Sequence, residues 1–400
     1  FMALSANTRP HFTTIADFIS SPDEQAIALF REILLVCDEM NLIGKDMFAI
    51  DGCKLPSNAS KEWSGTKKDF ERKCVKLEKA IKRIIRKHRD IDDTEAKSKI
   101  IEKDKQYIRT LKKQIKKIRD WTDDNDDKLG SKGRKVKSNI TDNDSAKMKT
   151  SNGVIQGYNG VAMVDSKHQV IVGAKAFGQG PENNLLEPMI NCTKDNLDDN
   201  VFETAKLTAD SGFHTNKNMD MLFEEGIDAY VADRYFRKRD PLFDSSGRYK
   251  MIPQKEQSKK QSGVYTPKDF TFDPKFRFCI CPAGKRLYRN GSHIDKKGFK
   301  STRFQGPKSA CLPCRRRKNC LRHPKKTQAR QVAYYHGRKK MPDTPADLMK
   351  QKVDSPIGKL NYSKRIGTVE PVFANIRGTL GLDRFSLRGK IKVNCQWLLY

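Results

Sequence analysis

Between residues 22 and 43 the apolar positions crowd on one side of a helix: Ile27, Leu29, Phe30, Ile33, Leu34 and Val36. That spacing predicts an amphipathic helix, and residues 46–51 predict a short buried strand after it. From 66 to 121 the texture changes to Lys/Glu-rich helix. Phe70, Cys74, Leu77, Ile81, Ile84, His88 and Ile91 recur in alternating steps of four and three. Ile101, Ile108, Leu111, Ile115 and Ile118 resume the pattern after a charged break at Asp90-Ile91-Asp92-Asp93. A heptad-type seam in two arms predicts an antiparallel helical hairpin over 66–128; one longer solvated helix in a dimer is the alternative.

Residues 122–152 are polar, with Lys128, Lys132, Arg134, Lys135 and Lys137 around Gly130 and Gly133, and predict a mobile loop. Two apolar runs, 160–165 and 170–174, flank Ser166-Lys167-His168-Gln169 and predict a β-hairpin. A helix is expected over 183–196, a strand over 205–210, a helix over 216–226 and a strand over 227–232. Strand and helix alternating after an opening hairpin indicate an α/β, mixed-sheet core. After Arg234 the regularity fails, and 235–345 predicts an inserted, basic, Cys-rich and loop-rich module. Apolar faces return over 360–400 through Phe373, Ile376, Leu380, Leu382, Phe385, Leu387, Val393, Trp397 and Leu398.

Charge changes the picture next. Lys plus Arg is 79 against 49 for Asp plus Glu, a formal +30 that favours a polyanionic partner through counterion release. A merely soluble basic protein is the bland alternative. No apolar stretch approaches the ~20 residues that span a bilayer, and no signal peptide is evident. The chain opens Phe1-Met2-Ala3-Leu4, without an initiator residue first, as expected of a fragment.

Three acidic residues sit in settings suited to phosphoryl-transfer chemistry. Asp51 follows Met47-Phe48-Ala49-Ile50, and Asp210 follows Leu207-Thr208-Ala209 and precedes Ser211-Gly212. An Asp ending an apolar strand stands at the sheet edge where ligands bind in open α/β folds. Glu370, after Thr368 as a candidate N-cap and before Pro371, is expected at a helix start, among Arg365, Arg377, Arg384 and Arg388. Mg²⁺ or Mn²⁺ takes oxygen ligands, and two such ions stabilise the attacking and leaving oxygens of a phosphodiester. Any one of the three carboxylates alone suits a cap or a surface position equally well.

Five of the ten cysteines cluster: Cys279, Cys281, Cys311, Cys314 and Cys320. The Cys311-x₂-Cys314 spacing suits a zinc knuckle, which Cys320 with Cys281 or Cys279 would complete. His323 is a spare ligand, and reduced, unliganded thiols are the alternative. Zinc would present Arg315-Arg316-Arg317-Lys318 to DNA phosphates.

The chain resembles the DDE transposases of prokaryotic insertion sequences. The likeness rests on Phe48-Ala49-Ile50-Asp51-Gly52-Cys53-Lys54 with Asn58-Ala59-Ser60, on Gly157-Tyr158-Asn159-Gly160, and on Ala209-Asp210-Ser211-Gly212-Phe213. It continues in Val369-Glu370-Pro371-Val372-Phe373, Gly381-Leu382-Asp383-Arg384-Phe385 and Leu387-Arg388-Gly389. The resemblance implies an RNase H-like core, a five-stranded mixed sheet flanked by helices, built from 46–65 and 150–234 and closed by helices in 360–400. It implies that 1–45 is the truncated end of an N-terminal helical region, with Arg9-Pro10-His11-Phe12 at its close. It implies Asp51, Asp210 and Glu370 as the metal-binding catalytic triad for two Mg²⁺ ions. Tyr362, Arg365 and Arg377 match the family's Tyr, Arg and basic residue around the Glu. Four residues separate Arg365 from Glu370 where many relatives have three, and Arg377 stands where many have Lys. The implied activity is cleavage at transposon ends and strand transfer into target DNA. A homodimer on terminal inverted repeats, cytoplasmic and nucleoid-associated, is implied with it. An RNase H-like nuclease without strand transfer and a domesticated DNA-binding protein are the competing readings.

Overall fold

A computed structural model of the chain describes residues 11, 13–14, 23–89, 95–130, 133–151, 153–243, 264–294, 299–338 and 343–400. Arg9, Pro10 and Phe12, and with them residues 1–10 and 15–22 of the expected N-terminal region, lie outside the described residues. The chain forms two compact units: Phe1–Arg239 with Pro345–Tyr400, and Asp240–Thr344.

The first unit is built on β1 (Met47–Pro56). It pairs antiparallel with β5 (Gly153–Asp165), with Asp51 opposite Ala162, and parallel with β7 (Lys206–Ala209), with Ile50 opposite Ala209. β7 pairs parallel with β8 (Ala229–Val231). β6 (Ile171–Phe177) and β4 (Ala146–Thr150) both pair antiparallel with β5, at opposite ends of it. The sheet therefore has six strands, not the expected five. The sixth, β4, lies in the stretch read as a mobile loop. That stretch hides its order in polar contacts: Asn139, Asp142 and Ser145 are buried, and Tyr158 donates its hydroxyl to Asp142 at 2.8 Å. Such a segment satisfies its backbone without supplying an apolar pattern.

One face of the sheet is covered by α7 (Pro356–Ala374) and α8 (Lys390–Leu398). Val369, Val372, Phe373, Val393 and Trp397 pack there on Ala49, Leu55, Ala162 and Ala174. Trp397 donates its indole N–H to Val161 O at 3.1 Å, which seats the ring without an orphaned donor. On the other face α4 (Leu186–Asn196) buries Leu186, Met189 and Ile190, and α5 (Asn216–Glu224) buries Met219 and Leu222. α1 (Asp23–Glu39) precedes β1, and α6 (Pro345–Asp354) leads into α7.

α7 corrects the expected start of the last helix. It begins at Pro356, where Ser355 accepts from the Gly358 N–H at 3.0 Å, and Glu370 falls in its final turns. A Ser cap followed by Pro at the first position outcompetes Thr368. The Thr368 hydroxyl instead donates back to Lys364 O at 3.0 Å. Pro371 lies inside the helix and has no N–H for the carbonyl four residues back, Gly367 O. Gln169, at the β5–β6 turn, donates to that carbonyl at 2.9 Å.

The helical seam is a hairpin, α2 (Lys67–Arg89) and α3 (Glu95–Asp124), with its own core of Phe70, Cys74, Ile81, Leu111, Ile115 and Ile118. Trp121 meets Phe70 edge-on at 5.2 Å. Arg119 pairs with Glu78 across the arms at 2.7 Å. The side chain of His88, and Ile91, lie outside the described residues. β2 (Ser64–Gly65) and β3 (Ser138–Asn139) pair at the base of the hairpin. Among the described residues no helix is long and apolar enough to cross a membrane.

Among its described residues the second unit is more than loops. It carries a five-stranded antiparallel sheet, β9 (Thr271–Phe272), β10 (Phe278–Ile280), β11 (Arg286–Ile294), β12 (Phe299–Gln305) and β13 (Gln331–Arg338). Its small core joins Phe270, Cys279, Leu287, Phe304 and Val332. Each strand supplies only one or two inward apolar groups between exposed Lys, Arg and Tyr, too weak an alternation to read as strands.

Candidate active site

Alternation along β1 turns Asp51 to the same side as Ala49 and Leu55, toward α7. There Arg365, buried on α7, donates from Nη1 to Asp51 Oδ2 at 2.7 Å, and the Gly52 N–H donates to Asp51 Oδ1 at 2.8 Å. Arg365 is thus a counter-ion to Asp51, where the sequence suggested only a phosphate contact. Burial opposes its charge, but Asp51, Tyr362 and Asp210 more than offset that and hold the guanidinium above its usual range. Its Nε–H is buried with no hydrogen-bond partner.

Asp210 follows the last residue of β7, and its Oδ1 accepts from the Gly212 N–H at 2.8 Å. Burial raises its carboxyl pKa and the Asp51 charge raises it further, against the pull of that N–H, Arg365 and Lys54. Glu370 is exposed on α7. It lines an open cleft of about 560 Å³ together with Asp51, Lys54, Lys149 and Arg377. The structure thus joins Asp51 to Glu370 through a cleft and to Asp210 through charge. Among the described residues, no three His, Cys, Asp or Glu side chains are already closed tightly enough to hold a metal ion.

A fourth carboxylate stands here that sequence reasoning missed. Glu182 lies in the turn between β6 and α4. Its Oε1 is 3.4 Å from Lys54 Nζ and accepts from Asn159 Nδ2 at 3.3 Å. Burial raises its pKa; Lys54 lowers it, and Asp210 and Asp51 raise it. Gly212 explains why the two acids come so near. A Cβ there would lie 2.4 Å from Glu182 Oε2 and 3.0 Å from Asp210 Oδ1. Only glycine leaves that space to the two oxygens. The fully buried Asn159 keeps its Oδ1 without a partner, and this atom would be 2.9 Å from a Cβ at Gly52, beside Asp51. The one sequence signal for Glu182 is an acid closing the Gly178-Gln179-Gly180-Pro181 turn.

The other expected residues scatter. Tyr362 packs edge-on against Phe236 at 5.1 Å, with Arg365 6.0 Å from its ring. Arg384 is exposed, and Arg388 donates to Asn58 O at 2.6 Å. Tyr158 is a buried packing residue. In the second unit Cys281, Cys311, Cys314 and Cys320 border one small cavity, whereas Cys279 belongs to the sheet core. Arg317 is turned inward, its guanidinium donating to the carbonyls of Cys311, Pro324, Thr327 and Gln328, so it is not among the groups offered to DNA.

Residues 280–400 match the family model of the transposase DDE domain. That match supports a DDE transposase. The matched stretch holds Tyr362, Arg365, Glu370 and Arg377, and it leaves out Asp51 and Asp210. No curated protein matches the chain. The DDE transposase reading agrees with a mixed α/β unit in which Asp210 directly follows β7, while Asp51 stands midway along β1, which runs on to Pro56 and does not end at Asp51 as the sequence suggested.

Proposed function

We propose that this DDE transposase cuts DNA strands at the ends of a mobile element of the prokaryotic insertion-sequence type and joins the freed 3′-hydroxyl to target DNA. The single observation that carries the reading is the cleft shared by Asp51 and Glu370, with Asp210 electrostatically coupled to Asp51. Lys54, Lys149 and Arg377 make its walls cationic enough to receive a phosphodiester. The RNase H-like description of the core draws support from the strand order β6-β5-β1-β7-β8, in which β5 runs antiparallel to both β6 and β1 while β1, β7 and β8 run parallel.

The residues present suit divalent metal. Oxygen ligands dominate, two half-buried carboxylates flank the space above Gly212, and Asn159 Oδ1 is an orphaned buried acceptor beside them. Asp51, Asp210 and Glu370 would hold the ions, with Glu182 flanking Asp210. Bound Mg²⁺ or Mn²⁺ supplies charge neutralisation at the phosphodiester and lowers the pKa of the attacking water or hydroxyl. Arg365 fixes the Asp51 carboxylate, and its buried Nε–H is left without a partner. Lys54 holds Glu182 in place, and Lys149 and Arg377 orient the strand along the cleft. Both transposon ends must be held together, so the working form is a dimer on DNA.

The test is incubation of the protein with DNA carrying the gene's own flanking inverted repeats and with Mg²⁺ or Mn²⁺. Cleaved ends and strand-transfer products are expected, both lost in Asp51→Asn while DNA binding persists. Cleavage without joining would assign a nuclease instead. Binding without either product would assign a DNA-binding protein.

A further inference from the structure

The second unit holds a constellation that strand transfer does not use. Cys281 follows β10 and opens a tight turn. Its N–H donates to Lys285 O at 2.9 Å, the Gly284 N–H donates to Cys281 O at 2.8 Å, and Gly284 takes a φ of 72° that glycine tolerates. The Lys285 N–H then donates to Cys281 Sγ at 3.4 Å. Cys311 closes the helical turn Lys308–Cys311, Cys314 follows at two-residue separation, and Cys320 closes the turn Arg317–Cys320.

All four sulfurs border a single cavity of about 30 Å³. That is room for one atom-sized occupant. Its exposed surface is almost wholly carbon and sulfur, a poor setting for water, which needs two to four polar partners. The four thiols also share one electrostatic environment. Burial pushes the Cys320 thiol up, Arg330 pulls it down, and Cys281, Cys311 and Cys314 push it up again. Gly306 completes the enclosure: a Cβ there would lie 2.7 Å from Cys311 Sγ.

The loops carrying the sulfurs are tied together independently of them. Arg317 grips four carbonyls, Arg316 donates to Pro282 O at 2.6 Å, and Arg330 donates to Cys320 O at 3.0 Å and Tyr265 O at 2.9 Å. These guanidiniums bring three separate cysteine-bearing segments around one space and place positive charge beside four ionisable thiols. The sulfurs stand around the cavity without yet being closed to coordinating distance.

We infer that Cys281, Cys311, Cys314 and Cys320 form a structural zinc site that clamps the second unit. Soft thiolates in a tetrahedral set of four select zinc over the oxygen-seeking Mg²⁺ of the first unit. Binding releases the thiol protons to solvent, with no change of oxidation state. Among the described residues the unit's core cluster joins only five buried apolar side chains, so the metal supplies folding free energy that packing there does not.

The test uses the full chain purified without chelator. Elemental analysis should give about one zinc per chain, as a four-ligand site requires. Exchange with Co²⁺ should give the intense visible bands of a tetrahedral tetrathiolate. Cys281→Ser and Cys314→Ser should each lower zinc retention in a competing chelator at least about tenfold. Cys279→Ser, which touches only the sheet core, should retain the metal. Should a variant fail to fold, titration of the unaltered chain with a mercurial thiol reagent replaces it, and zinc should be released as thiols are consumed. Zinc below about 0.2 per chain with the second unit still protease-resistant overturns the site, since a structural zinc is needed for the fold it supports. Equal retention by Cys314→Ser and the unaltered chain overturns it as well. Neither outcome bears on DNA cleavage by the first unit.

Discussion

Arg365 Nη1 meets Asp51 Oδ2 at 2.7 Å, so the first acidic residue of the cleft already carries its own cation. The pair is largely buried, and removing one member leaves the other charge poorly compensated. Arg365→Met should destabilise the protein by about 3 kcal/mol, the low end for breaking a buried pair, because Asp51 retains some solvent contact. Arg365→Met with Asp51→Asn should cost clearly less than the two single changes together. Urea denaturation of the four-member cycle measures this, and additivity would mean that the contact carries no coupling.

Glu182 and Asp210 both approach the space above Gly212. Glu182→Gln keeps the shape and removes one charge, and it should weaken Mn²⁺ binding by DNA-free protein about tenfold or more. Gly212→Ala should do the same by displacing the Glu182 carboxylate. Isothermal calorimetry reports both, and an unchanged isotherm in Glu182→Gln would leave this residue only as the partner of Lys54.

His214 gives the protein an acid limit. Burial, with help from Lys350 and Arg239 and against Asp233, pushes its pKa below the ordinary 6.5. In the unfolded chain the ring takes up its proton at that ordinary value. Between the two values the unfolded state binds more protons, so stability falls as pH drops below about 6.5. His214→Gln should flatten this part of the curve. Denaturation midpoints from about pH 5 to 8 decide it, and identical slopes in both proteins would remove His214 as the cause.

The hairpin α2–α3 has its own core, and only Trp63 and Ile140 pack on it from outside the arms and their connection. Replacing Lys67–Asp126 by a short Gly/Ser linker should leave the catalytic unit folded. Exposing those two partly buried side chains should cost about 2 kcal/mol. The circular-dichroism loss should correspond to the helices of 23 and 30 residues. An insoluble or molten product would show that the hairpin is needed to close the unit.

The strands that carry Asp51 and lead to Asp210 were legible because Met47-Phe48-Ala49-Ile50 and Leu207-Thr208-Ala209 are short, mainly apolar runs, and the periodic seam was legible because it repeats. Glu370 was found by its neighbours, but its place on the helix was misread. Thr368 and Pro371 resemble a start, and the true start is fixed by Ser355. Glu182 had no such frame, because its meaning depends on Asp210 and Gly212, which meet it only in three dimensions. The strands at 138–150 were lost because their order rests on buried polar groups. Those at 271–338 were lost because each offers one or two inward apolar residues between charged ones.

The two-part composition of the first unit sets the order in which a growing chain can become an enzyme. Residues through Arg239 emerge first and bring Asp51, Glu182 and Asp210, but the face of the sheet that α7 and α8 cover is still bare. The whole second unit must then be synthesised before Glu370 leaves the ribosome. At roughly 5–20 residues per second, the intervening hundred or so residues hold that face open for some seconds. During that interval the nascent chain exposes apolar surface and has no complete cleft. The cleft shared by Asp51 and Glu370 therefore cannot form before the last helices dock, and a chain released early lacks it.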